Sequence, residues 1–274
     1  MILLLTMITI MVAQPPSDIY LFDIDIDKGK ISNPINVTKR KNGYDNQPYL
    51  SRDGQRLYFT RSLSGQTDIY YYDLKIEVIR EFSFSPISEY YAKETRDGKF
   101  ISFVLVGEAS QELWKMPREG GEPIAIDGIS KVENYSWIDD NQIAVIEVGE
   151  PNLLKVVNFL MGNSKTISSN VGRGLQTSGG FLFFVQKESG SAWWIKRYDP
   201  ITGYSINVLP AIENREDFFV TASGMILMTD GRTIFYERKG KWRNLVEIEM
   251  SDFYDFDRIL LSEDEKKLVI ATKN

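Results

Sequence analysis

Residues 46 to 59 read Asn46-Gln47-Pro48-Tyr49-Leu50-Ser51-Arg52-Asp53-Gly54-Gln55-Arg56-Leu57-Tyr58-Phe59, and the chain soon continues as Asp68-Ile69-Tyr70-Tyr71-Tyr72-Asp73-Leu74. Asp53-Gly54 supplies a backbone that tolerates positive φ, which a tight hairpin needs. The flanking aromatic and β-branched residues prefer a pleated sheet. The stretch therefore reads strand, tight turn, strand, loop, strand.

The same unit returns at Thr95-Arg96-Asp97-Gly98-Lys99-Phe100-Ile101-Ser102-Phe103, followed by Gln111-Glu112-Leu113-Trp114-Lys115-Met116. Weaker copies follow at Trp137 to Val145, Thr177 to Phe184 and Ala222 to Met228, and a last one runs from Leu261 to Ile270. The turns at 53, 97, 140, 179, 223 and 264 are separated by 44, 43, 39, 44 and 41 residues. A four-stranded propeller blade repeats at about that interval. The final hairpin stops at Asn274 without outer strands, whereas Asp18-Ile19-Tyr20-Leu21-Phe22-Asp23-Ile24 is an outer-strand sequence without a hairpin. Pairing the two ends satisfies both exposed edges. The expected fold is all-β: a six-bladed β-propeller of four-stranded antiparallel blades, with residues 18 to 38 placed outside the hairpin of residues 257 to 272.

Composition narrows the chemistry. The 274 residues carry 32 lysines and arginines against 38 aspartates and glutamates, a net charge of −6, which is the wrong sign for a nucleic-acid groove. No histidine is present, so imidazole-based triads and ordinary zinc or haem sites are excluded. No cysteine is present, which removes disulfides, thiolate nucleophiles and iron–sulfur clusters. Residues Ile2 to Val12 are apolar apart from two threonines, and no charge precedes Asp18. This segment is too short to span a bilayer and reads as a signal peptide over residues 1 to 13, leaving 14 to 274 as a single propeller domain without a transmembrane segment.

The pattern Gln47-Pro48-Tyr49-Leu50-Ser51-Arg52-Asp53-Gly54-Gln55-Arg56-Leu57-Tyr58-Phe59-Thr60, with Gly65-Gln66-Thr67-Asp68-Ile69-Tyr70 after it, resembles the WD-like repeat of TolB-type propellers. By period the resemblance covers the mature chain; by motif it covers about half, because the middle turns become Asp140-Asn141, Gly179-Gly180 and Ser223-Gly224. TolB itself also carries an N-terminal α/β domain, for which this sequence has no room. The resemblance implies a propeller exported to the periplasm or outside, and a protein-binding habit.

Several motifs invite a sharper reading and have a plainer one. Ser51-Arg52-Asp53-Gly54 imitates a sialidase Asp-box, but the spacing differs and no tryptophan follows. Asp23-Ile24-Asp25-Ile26-Asp27-Lys28-Gly29 imitates a calcium loop, but Lys28 stands where glycine is needed and Pro34 where the bidentate glutamate belongs. It reads as a strand with a wet face and a turn, so no metal or other cofactor is assigned, and calcium stays a possible but unsupported ligand of the chain. Trp193-Trp194 and Tyr70-Tyr71-Tyr72 occupy third-strand positions, where packing between blades explains them. Lys39-Arg40-Lys41 reads as a solvated turn.

Aligned on the hairpin turns, the residues before the innermost strands are Tyr44-Asp45-Asn46, Glu89-Tyr90-Tyr91, Glu133-Asn134-Tyr135, Glu216-Asp217 and Tyr254-Asp255, and the fourth blade differs by offering Gly172-Arg173-Gly174. These segments define one mouth of the central channel. The expectation is an acidic, tyrosine-bearing binding surface that attracts a protein or peptide of basic character. The leading function is non-enzymatic binding, with no catalytic residue assigned. The alternatives are a carboxylate-based glycan hydrolase or lyase, which requires two carboxylates about 5 to 10 Å apart, and a purely structural envelope component.

Overall fold

The computed structural model describes residues 15–40, 42–107, 110–188 and 192–274. The leader expected over residues 1 to 13 lies outside the described residues.

In chain order the strands are β1 (Ile19–Asp25), β2 (Lys30–Asn36), β3 (Asp45–Leu50), β4 (Arg56–Leu63), β5 (Gln66–Asp73) and β6 (Val78–Glu81). Next come β7 (Glu89–Glu94), β8 (Phe100–Val106), β9 (Gln111–Pro117), β10 (Ile124–Ser130), β11 (Val132–Trp137) and β12 (Gln142–Glu147). They are followed by β13 (Leu153–Asn158), β14 (Asn163–Ser169), β15 (Val171–Ser178), β16 (Phe181–Gln186), β17 (Trp194–Tyr198) and β18 (Ser205–Pro210). The last six are β19 (Phe218–Val220), β20 (Ile226–Thr229), β21 (Thr233–Arg238), β22 (Lys241–Glu247), β23 (Asp255–Leu261) and β24 (Lys267–Lys273).

Six four-stranded antiparallel sheets result. Five are consecutive runs, β3 to β6, β7 to β10, β11 to β14, β15 to β18 and β19 to β22, named here the first to fifth blades. The sixth has the order β2-β1-β24-β23, so the two chain ends share one blade. Ile19 faces Ala271 and Asp23 faces Lys267 across that closure, as the unpaired ends of the sequence require.

Strand alternation explains the apolar runs. In β4, Leu57 and Phe59 join Ile19, Leu21 and Val269 between the first and sixth blades, while Tyr58 joins Ile69, Ile101 and Phe103 between the first and second. Side chains that point to opposite faces are thus both buried, so the strand reads as continuous apolar sequence. Equivalent clusters fill the other interfaces; Val171, Leu182 and Phe184 pack on Ala144 and Ile146, and Leu227 and Ile234 pack on Phe256 and Leu268. Tyr70 and Tyr72 pack toward the sixth blade and Tyr71 toward the second, and Trp193 packs between the fourth and fifth blades. The aromatic runs are therefore interface material.

The hairpin turns repeat one polar device. Ser51 Oγ donates to Asp53 Oδ1 at 2.6 Å, Gln55 N donates to the same oxygen at 3.0 Å, and Gly54 closes the turn at φ 68°. Thr95, Asp97 and Gly98 repeat it, with Thr95 Oγ1 donating to Asp97 Oδ1 at 2.6 Å. In the sixth blade Glu265 takes the left-handed position at φ 56°. The calcium-like stretch Asp23 to Gly29 ends β1 and turns into β2. There Asp23 pairs with Lys267 and accepts from Asn33 Nδ2 at 2.6 Å, and Asp25 pairs with Lys28 at 2.7 Å.

Candidate functional site

The inner strands β3, β7, β11, β15, β19 and β23 run in the same direction around the channel. Their starts define a leading mouth, and their ends, with the hairpin turns, define the opposite hairpin mouth. Most bear a bulge near the start, where the register with the second strand slips: between Asn46 and Tyr49, Tyr90 and Lys93, Val132 and Asn134, Val171 and Leu175, and Phe256 and Arg258. Gln47 and Tyr91 occupy left-handed backbone there, at φ 56° and 58°. Such conformations cost of order 1–3 kcal/mol and persist where the surroundings enforce them. The bulges re-aim side chains toward the axis.

Counting back six residues from each turn, at 53, 97, 140, 179, 223 and 264, gives Gln47, Tyr91, Asn134, Arg173, Asp217 and Arg258, one from each blade. These six are linked across the channel. Asn134 Nδ2 donates to the Arg173 carbonyl at 2.7 Å, Arg173 Nε donates to Asp217 at 2.7 Å, and Arg258 Nη1 lies 3.5 Å from Asp217. Arg258 Nη2 reaches over to the second blade and donates to the Tyr91 hydroxyl at 2.8 Å. Asp257 adds a second acceptor for Arg173, at 2.6 Å.

A cavity of about 410 Å³ begins at this ring and extends past the ends of the inner strands to the hairpin turns. Every blade contributes to its lining. The next tier, four residues before each turn, is Tyr49, Lys93, Ser136, Leu175, Phe219 and Leu260, and all six line the cavity. The channel is thus a cup with a polar floor and mixed walls, open toward the hairpin mouth.

The residues singled out at the leading mouth are mostly built into the protein. Asp45 is fully buried; Arg61 donates to it from Nε at 2.7 Å and Nη2 at 3.1 Å, and Arg40 lies 3.5 Å away. Burial raises its carboxyl above the ordinary range, against the pull of Arg61. Asn46 is buried, its Oδ1 accepting from Gln47 N at 2.6 Å and its Nδ2 donating to Ser17 Oγ at 3.4 Å. Glu89 is 2% exposed, burial raises its carboxyl, and its Oε2 has no hydrogen-bond partner. Glu133 is likewise raised, first by burial and then by Glu216, and accepts from Asn152 Nδ2 at 2.7 Å. Glu216 accepts from Arg173 N at 2.8 Å and pairs with Lys187. Asp255 lies 3.0 Å from Arg215 and 3.1 Å from Lys273. Tyr135 belongs to the core, donating to the Tyr91 carbonyl at 2.8 Å, and Tyr90 donates to the Val132 carbonyl at 2.9 Å. Tyr44 is half-buried, with burial raising its hydroxyl to about 12. Tyr254 is 62% exposed.

The structure therefore brings Arg173, Glu216 and Asp217 together and sets Asp45, Glu89 and Tyr135 apart from them. Much of the acidic charge at the leading mouth is compensated within the protein. Asp45, Glu216, Asp217 and Asp255 each face an arginine or lysine, because a desolvated carboxylate is stable only when paired and hydrogen-bonded. The mouth segments read from the sequence include Tyr91 but not Gln47, Lys93, Asp257 or Arg258. A fixed offset from the turns places Gln47, Tyr91 and Arg258 on the floor and Lys93 on the wall.

Among the described residues no group of three or more Asp or Glu side chains is placed to hold a metal ion, and no helix is long and apolar enough to cross a membrane. No family model matches the chain, and no curated protein matches it. Solved structures do. A protein described as a TolB from Agrobacterium tumefaciens superposes with a TM-score of 0.70 at 13% identity, covering 96% of this chain and 99% of its own. TolB from Acinetobacter baumannii gives 0.63 at 13% identity over 94% of this chain, which spans 64% of that protein's length. An oligogalacturonate lyase in complex with manganese gives 0.61 at 13% identity, covering 88% of this chain and 80% of its own. The fold class is a six-bladed propeller of four-stranded antiparallel blades. Within that class the chain has the TolB-like fold, and the described residues include no separate N-terminal α/β domain.

Proposed function

We propose that this protein is a non-enzymatic propeller of the periplasm or extracellular space that binds a protein or peptide segment in its channel, entered from the hairpin mouth. The observation that carries this reading is the cup of about 410 Å³ to which all six blades contribute. A cup held by rigid strands meets its ligand already ordered, so binding loses little conformational entropy. Its walls combine apolar Leu175, Phe219 and Leu260 with polar Lys93, Ser136 and Gln176, which suits an extended chain with both backbone and side chains to place. Arg173, Glu216 and Asp217 enter this reading as the support and floor of the cup, and Tyr44 and Tyr254 as contacts on the leading side. A strongly basic partner is disfavoured there, since Asp45, Asp217 and Asp255 already face cations.

The glycan-cleaving alternative has weaker support. Of Glu89, Glu133, Glu216 and Asp217, only Asp217 lines the cavity, and two arginines engage it. Export rests on the apolar leader and is checked by the mass of the native protein, which should start near Gln14. Binding is checked with a photo-crosslinking amino acid placed in turn at Ala222 on the cavity rim, Tyr254 at the leading mouth and Ile201 on an outer turn. Partner adducts from Ala222 are expected; adducts confined to Ile201 or Tyr254 would remove the channel from the proposal.

A further inference from the structure

Lys93 projects from β7 into the cup wall, one tier above the floor. Its ammonium lies 5.7 Å from the centre of the Tyr91 ring and 5.0 Å from that of Tyr135. It donates to Asn134 Oδ1 at 2.9 Å and to the Tyr135 carbonyl, both neutral acceptors. Among the described residues no carboxylate lies within 4 Å of it. An ammonium has three donors, so one is left for the cavity. Arg258 sits over the same Tyr91 ring, at 5.2 Å, with Nη2 on the Tyr91 hydroxyl. Its nearest carboxylate, Asp217, is 3.5 Å away and is held more closely by Arg173. Arg173, Arg258 and Lys273 thus share Asp217 and Asp257, and Lys93 stands beside them with no ion-pair partner of its own. A desolvated cation without a matching anion is costly, and an incoming anion relieves that cost.

We propose that the Lys93–Arg258 pair is the recognition site for a single carboxylate on a ligand with an apolar flank, such as the free C-terminus of a peptide lowered into the cup. The proposal rests on the peptide-binding reading for its source of carboxylate, while the site itself is tested separately below. A carboxylate fits better than a phosphate because Asp217, Glu94 and Glu263 also line the cavity and repel a second negative charge. The apolar flank is set by Phe219, Leu260 and Tyr49 in the tier around Lys93.

Binding at this site takes up a proton. Burial, followed by the charge of Arg258, holds the Lys93 ammonium down to about 7, and Asp217 opposes the shift. The other titratable groups against it are Tyr135 from β11 and Tyr91 on its own strand. A bound carboxylate favours the charged amine, so affinity should be highest below pH 7 and fall as the free protein loses that proton.

The test uses the full chain and titrations followed by calorimetry, with N-acetyl-Ala-Leu-Phe as free acid, its C-terminal amide, N-acetyl-Ala-Asp-Leu amide, and 4-methylpentanoate. The free acid should bind at least tenfold more tightly than the amide at pH 6, and the preference should shrink toward pH 9. Lys93→Met should abolish the preference without lowering the melting temperature, since it removes a desolvated charge and keeps the volume. Equal binding of acid and amide, or an undiminished preference in Lys93→Met, overturns the site and leaves the peptide reading standing. Binding of 4-methylpentanoate that depends on Lys93, with no peptide bound, upholds the site and removes the peptide reading. Binding of the aspartate-bearing amide equal to that of the free acid upholds the site and assigns the carboxylate to a side chain. Absence of binding by all four probes overturns the site.

Discussion

Single carboxylates in this protein differ sharply in what they do, although the sequence presents them alike. Glu89 and Asp45 both open inner strands and are both buried, but Asp45 has two arginines and Glu89 has an oxygen without a partner. Removing one member of a buried ion pair strands the other, so Asp45→Ala is expected to cost roughly 3 kcal/mol or more, seen as a lower melting temperature. A lysine at 45 would be worse still. Glu89 predicts the opposite sign. Its folded-state pKa is shifted upward by burial, so its favourable contribution exists at acid pH and is lost as pH rises through that shifted value. Glu89→Gln should therefore raise stability at pH 7 by about 1 kcal/mol, with the gain vanishing near pH 3, where both proteins carry a neutral group. A gain that persisted at pH 3 would mean that packing, rather than ionisation, limits this position.

At the level of strands and turns, the hairpin is the unit that both builds a blade and joins it to the next. Asp53 closes its own turn and also pairs with Arg118, which lies 3.1 Å from Glu94, itself 3.3 Å from Arg52. Asp53→Ala is expected to cost about 1–2 kcal/mol, more than the loss of turn hydrogen bonds alone, with the excess absent in an Arg118→Met background. The inner strands of the fourth and fifth blades meet through a glycine. A Cβ on Gly174 would come within 2.1 Å of the Glu216 carbonyl oxygen, so Gly174→Ala must push β19 away and should weaken the Arg173–Asp217 contact beside it. Its readout is a drop in melting temperature of several degrees together with loss of the floor geometry in a crystal structure. Propensity made these hairpins legible, because Asp-Gly between aromatic and β-branched runs has few other conformations. The bulges were not legible, since a positive φ at Gln47 or Tyr91 runs against residue preference and is imposed by neighbouring blades.

For the whole molecule, closure is a single event on which every interface depends. β1 pairs with β24 from Ile19–Ala271 to Asp23–Lys267, and beyond it Asn274 N donates to the Pro16 carbonyl at 3.1 Å. Ile19 and Leu21 face the first blade while Tyr20, Phe22 and Ile24 face the fifth. Deleting residues 14 to 38 would expose both surfaces and leave β24 as an open edge. Loss of a cooperative thermal transition and concentration-dependent association are expected by calorimetry and size-exclusion chromatography. A truncated chain that melted like the full one would contradict the shared blade.

The sequence by itself determined the architecture. Turn chemistry and alternating burial are local, a period near 43 residues repeats them, and unmatched strands at the two ends admit one closure. It also determined which chemistries are absent, because a missing histidine or cysteine is missing in every fold. Only the tertiary structure decided the character of the channel. Lys93, Arg173, Asp217 and Arg258 lie on four different blades, and whether each is a paired charge, a spare one or a floor depends on distances that run across the ring rather than along the chain. Asp45 and Asp255, which the sequence sets at an open mouth, are structural because the fold brings Arg40, Arg61, Arg215 and Lys273 beside them, and desolvation penalises a carboxylate that does not find its cation.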